Sequence, residues 1–209
     1  MDEINSKIFL YLVIVFSVVA HEYAHSFVAN ELGDDTAKKA GRLTLNPLVH
    51  IDPIGTVLVP LVLMFTAGAF MGWAKPVPFN PYNIRDPKGE LKIALGGPVA
   101  NLCLALLISM LFLIARFILP EITANELLVT LTSTIIYVNI FLALFNLIPI
   151  PPLDGSKILG SFLPYQTREA FLSIGPFGVI IALFVSVLFL PSIASLLFDL
   201  FTGFGYVFG

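Results

Sequence analysis

Cysteine is nearly missing from this 209-residue chain. Cys103 stands alone, so no internal disulfide can form and no zinc site can be built from thiolates. It lies in an apolar run and reads as a packed thiol, not a nucleophile. Charge is scarce too. Lys, Arg, Asp and Glu make up 12% of the residues, against roughly 25% in a soluble domain. The net charge of −3 comes with no basic stripe, so nucleic acid is not an expected partner. There is no internal repeat, no low-complexity tract and no stretch long enough for a separate soluble domain. The first apolar segment lacks a basic leader, since Asp2 and Glu3 open it, so it reads as a retained helix and not a cleaved signal peptide. What fills the sequence is apolar: 57% of residues, with a mean hydropathy of +0.94. That balance belongs to a membrane protein.

The pattern predicts an all-α, polytopic transmembrane helical bundle in a single domain, 1–209, with its core at 7–160. Hydrophobic segments are expected at 7–31, 53–72, 90–118, 126–148 and 171–207. The last is long and interrupted by Pro191, which leaves room for two helices and makes the count five or six. Charge placement suggests an orientation. Lys38, Lys39 and Arg42 in one loop, and Lys75, Arg85, Lys88 and Lys92 in another, put both on the cytoplasmic side. The loop holding Glu121 and Glu126 then faces outward. Two positive loops flanking 53–72 conflict with a full crossing, and Pro60 and Gly68 interrupt that segment, so it is expected to re-enter. Trp73 beside Lys75 reads as an interfacial anchor.

Ionisable residues inside an apolar span cost roughly 2.5–3.5 kcal/mol each on insertion scales and therefore mark function. The first segment carries three of them in His21-Glu22-Tyr23-Ala24-His25. On a helix the two histidines stand one turn apart on one face, where two imidazoles can grip one zinc ion, and Glu22 lies beside the metal as a general base. A catalytic zinc site needs at least one more protein ligand and an open position for water. His50, Asp52 and Asp154 are the candidates. Asp154 follows Asn146-Leu147-Ile148-Pro149-Ile150-Pro151-Pro152-Leu153, whose prolines end a helix and leave extended backbone, and Gly155 permits a turn after the carboxylate. Irregular backbone at membrane depth is tolerated only where protein buries it or water lines it.

HEYAH in the first helix together with NLIPIPPLDG late in the chain resembles the site-2 protease family of intramembrane zinc metalloproteases. GDDTAKKAGRLTLNPLVHIDPIGT (33–56), GWAKPVPFNP (72–81) and ALGGPVAN (94–101) resemble its compact bacterial and archaeal branch. The resemblance covers residues 8–160 and shows no PDZ- or CBS-like region. It implies His21, His25 and Asp154 as ligands of one Zn2+, Glu22 as catalytic base and Asn146 as a substrate-binding residue. The expected function is hydrolysis of peptide bonds within or near transmembrane segments of membrane-protein substrates, by a multi-pass protein of the cell membrane. The competing class is a transporter conducting a metal ion or protons through the same His/Glu/Asp cluster; it lacks the paired halves usual in such proteins. His50 is expected to bond backbone in its loop. Gly96 and Gly97 should permit close helix packing, and Asn101 should hydrogen-bond at that interface.

Overall fold

The computed structural model describes residues 2–66, 75, 77–175 and 177–203. Trp73 and Gly68 lie outside them. Among the described residues all regular structure is helical. Four helices among these residues are long and apolar enough to cross a membrane: α1 (Glu3–Glu31), α4 (Gly89–Ile118), α6 (Glu126–Leu147) and α9 (Phe177–Thr202). Between them lie the short helices α2 (Thr36–Lys39), α3 (Val59–Thr66), α5 (Pro120–Thr123), α7 (Asp154–Gly160) and α8 (Tyr165–Leu172). Three of the expected long spans therefore stand close to where hydropathy put them. The fourth, 171–207, begins instead inside the separate helix α8 and continues as α9.

Pro191 does not divide α9. A proline inside a helix removes one hydrogen bond and costs about 3 kcal/mol. Ending the helix within an apolar run would leave several backbone groups with neither partner nor water, so the helix continues. The segment at 53–66 is irregular. A π-helical turn, Pro53–Leu58, precedes α3, and Asp52 caps it by accepting N–H bonds from Ile54 (3.0 Å) and Gly55 (2.6 Å).

The chain divides into two compact units, Met1–Gly97 and Pro98–Gly209. In the first, the Tyr11 hydroxyl of α1 donates to the Thr56 carbonyl in the π-helical turn at 2.8 Å. In the second, α4, α6 and α9 meet in a core of Ala105, Ile136, Ile140, Ala194 and Phe198, all fully buried. Small residues let the backbones approach: the buried stripe of α9 is Gly178, Ala182, Ser186, Leu190, Ala194, Phe198 and Thr202, one residue per turn. Its remaining surface carries exposed Phe184, Val187 and Leu196, the face a helix shows to lipid. Asn101 bears out its expected role, its fully buried amide donating to Asn139 Oδ1 across α4 and α6 at 2.9 Å.

Candidate metal centre

The first unit builds its part of the site on one face of α1. His21 is buried, and Glu22 and His25 are half-buried. Four residues of helix bring the imidazoles together, Nε2 to Nε2 at 3.0 Å. Two nitrogens held 2.0–2.1 Å from one tetrahedral zinc ion lie about 3.3 Å apart, so the pair is nearly spaced for a shared metal. The second bond of His25 fixes its chemistry. Nδ1–H donates to the Ile93 carbonyl of α4 at 2.6 Å, which leaves Nε2 as the atom with the lone pair. Lone pairs so close repel unless a proton or cation lies between them. The donor set fits zinc.

Gly97 explains how α4 comes so near. A Cβ at this position would fall 2.4 Å from His21 Nε2 and 2.5 Å from His25 Nε2. At Gly96 the same atom would be 3.2 Å from the Ala24 carbonyl oxygen, tight but short of a collision. The expected packing role of these glycines is thus sharpened: Gly97 abuts the ligand nitrogens themselves.

Glu22 points to a backbone donor that sequence reasoning missed. Its Oε2 accepts the Val77 N–H at 3.3 Å, across 55 positions of sequence. The two other candidates for a third ligand have local partners. His50 is buried and its Nε2–H donates to the Thr44 carbonyl at 2.9 Å, as expected of a loop histidine, and the Asp52 carboxylate is occupied by its cap.

Asp154 and Asn146 belong to the second unit. Pro149, Pro151 and Pro152 have no N–H to continue α6, which ends at Leu147, and α7 starts at Asp154. Asp154 is 5% exposed, and Lys157 Nζ, one turn on, donates to its Oδ1 at 3.1 Å. Gly155 serves differently from the expected turn: it lies within α7 without a positive φ. A side chain there would meet the Leu147 and Ile148 carbonyls at 2.3 and 2.5 Å, so glycine lets α7 back onto the end of α6. Asn146 is half-buried and its Nδ2 donates to the Leu142 carbonyl of its own helix at 3.0 Å.

The chain matches peptidase family M50 over residues 9–119 and 113–190. It is 38% identical to YwhC of Bacillus subtilis, a protein with a zinc-metalloprotease name, over 90% of this chain and 82% of that one. Rip2 of Mycolicibacterium smegmatis, named in the same way, is 28% identical over 89% of this chain and 68% of its own. Zinc metalloprotease MJ0392 of Methanocaldococcus jannaschii is 30% identical over 76% of this chain and 36% of its own. No solved structure matches.

Proposed function

The chain belongs to peptidase family M50, the site-2 protease family, and is a zinc metalloprotease of the membrane; from that premise we propose that it is a multi-pass endopeptidase of the cell membrane, cutting within or near transmembrane segments of other membrane proteins. The observation that carries this reading is the position of His21, Glu22 and His25 on a helix that has the length and hydropathy of a membrane span. In this reading His21 Nε2, His25 Nε2 and the Asp154 carboxylate hold the ion, and Asp154 is supported by its burial beside the proline-broken end of α6.

Zinc, when bound, polarises the peptide carbonyl and makes water acidic enough to lose a proton near neutral pH. The protein's own residues do the rest. Glu22 takes the proton of the attacking water on a carboxylate oxygen and returns it to the departing amine. The His25–Ile93 bond keeps the imidazole in the ligating tautomer. Asn146 offers its side-chain amide to the substrate backbone: one Nδ2–H donates to the Leu142 carbonyl of its own helix, which leaves Oδ1 to accept and the second Nδ2–H to donate. The substrate is a membrane span able to unwind locally, because a helical peptide hides its carbonyls in its own hydrogen bonds.

Loops 32–52 and 73–92 both face the cytoplasm in this proposal, and 53–72 re-enters. Supporting it, Lys38, Lys39 and Arg42 precede the segment, Lys75, Arg85, Lys88 and Lys92 follow it, and the π-helical turn Pro53–Leu58 breaks its regular helix. Purified protein in liposomes with a panel of single-span substrates tests the reading. Cleavage at bonds mapped inside the spans supports it; cleavage confined to soluble tails distant from the membrane would sink the intramembrane assignment.

A further inference from the structure

Two polar stretches play no part in holding zinc: the loop after α1 and the segment 75–84. They are tied to each other. Asp34, three residues past the end of α1, is fully buried. Its Oδ1 accepts from the Thr36 N–H (3.1 Å), the Thr36 hydroxyl (2.5 Å) and Asn83 Nδ2 (2.9 Å), and its Oδ2 accepts the Asn80 N–H (2.7 Å). Burial alone pushes this carboxyl up, but the donors of Thr36, Asn80 and Asn83 outweigh it and hold it below the ordinary range, ionised and purely an acceptor. Gly33, at φ 105°, lets the chain turn there with the Asn83 carbonyl only 3.3 Å from where a Cβ would sit. The other end of the segment is also pinned. Buried Arg42 donates from Nη2 to the Lys75 carbonyl at 2.8 Å and from Nη1 to the Val49 carbonyl, and the Lys75 N–H donates to the His50 carbonyl at 3.1 Å.

Between the two pins lies Pro76-Val77-Pro78. Prolines have no N–H, so Val77 supplies the one backbone donor of the triplet. That donor goes to Glu22 Oε2. We propose that Asp34 and Arg42 are positioning residues for the catalytic base: they clamp segment 75–84 so that the Val77 amide holds the Glu22 carboxylate in place. This inference rests on Glu22 being the base. The physical need is plain. A glutamate must give up its rotamer freedom to be fixed, and at 3.3 Å the Val77 bond is long, so it orients the carboxylate more than it binds it. Orientation of this kind acts only if its donor is itself immobile, and the two pins make it so.

The test uses the full-length zinc-loaded protein in detergent, with a single-span substrate that the wild type cleaves. Asp34→Asn replaces one accepting oxygen by an NH2 group facing a donor. It should lower kcat about 10- to 100-fold, the scale of a misplacement near 1 Å, with KM and zinc content unchanged. Hydrogen exchange should accelerate in peptide 75–84 but not in 17–30. Val77→Pro, which deletes the donor, should lose kcat similarly, and the double variant should be no worse than Val77→Pro alone. Should Asp34→Asn fail to fold, Asn83→Ala removes a single donor from an exposed residue and should move kcat and exchange the same way, less far. An unchanged kcat, a raised KM at constant kcat, lost zinc, or additive losses in the double variant would each overturn the proposal. Wild-type protein that cleaves nothing sinks the protease reading and this proposal with it; cleavage indifferent to Asp34→Asn sinks this proposal alone.

Discussion

Adding one methyl group at Gly97 should disable the metal centre while leaving the fold nearly intact. In Gly97→Ala the new Cβ would lie 2.4 Å from His21 Nε2 and 2.5 Å from His25 Nε2. Ordinary carbon contacts begin at about 3.5 Å, so roughly 1 Å must be recovered. Backbone movement of α4 is one route and costs about 1–3 kcal/mol, as overpacking does. Swinging the imidazoles is the easier route, because the atoms met are the far ends of side chains, and alanine's helix propensity returns about 1 kcal/mol over glycine. The damage therefore falls on ligation more than on stability. Zinc affinity should drop about 10- to 100-fold, as when a partner orienting a ligand is lost, equivalent to about 1.4–2.7 kcal/mol. Titrating the metal-free protein with zinc against a competing fluorescent chelator measures this directly. Gly96→Ala, with its nearest contacts at 3.2 Å, should show a much smaller change. Wild-type zinc affinity and turnover in Gly97→Ala would refute the proximity argument.

Three other outcomes are expected. His21→Ala, His25→Ala and Asp154→Ala should each lose most of the zinc by elemental analysis, since removing one ligand of three sharply weakens a site; full retention in Asp154→Ala would place the third ligand elsewhere. Asn101→Leu removes the buried bond from Asn101 Nδ2 to Asn139 Oδ1 and should cost about 1–2 kcal/mol of stability, read as a lower denaturation midpoint at unchanged zinc content. Single cysteines at positions 40 and 82 in a Cys103→Ser background should both react from the cytoplasmic side; labelling from opposite sides would show that 53–72 crosses.

Much of this was legible in the sequence because membrane insertion leaves a coarse signal. Glu126–Leu147 starts at the Asn125 cap and stops short of Pro149, and Gly89–Ile118 starts beside Lys88 and stops short of Pro120; apolar runs punctuated in this way announce their own ends. HEYAH was legible because helix periodicity alone brings positions 21 and 25 to one face. Pro191 misled because the rule for proline assumes water for the freed carbonyl. The Val77 amide was invisible for another reason: a backbone donor has no residue type to betray it, and only the flanking prolines hinted that one N–H stood alone. Asp34 sits in a stretch that looked like an ordinary turn, and its tie to Asn80 and Asn83 depends on the path of a loop 46 residues away. Gly97 was read as a packing glycine, but periodicity could not tell that its neighbours were the ligand nitrogens.

The central claim is that Glu22 moves the proton while the histidines hold the metal. Glu22→Gln keeps the shape and the site's acceptor for the Val77 N–H through its amide oxygen, but cannot take up a proton. Zinc content and substrate cleavage measured on the same purified sample decide the matter. The account predicts about one zinc per chain, as in the wild type, with turnover reduced at least 10²-fold, the lower end of what a general base contributes. Cleavage near the wild-type rate by a fully zinc-loaded Glu22→Gln protein would contradict it.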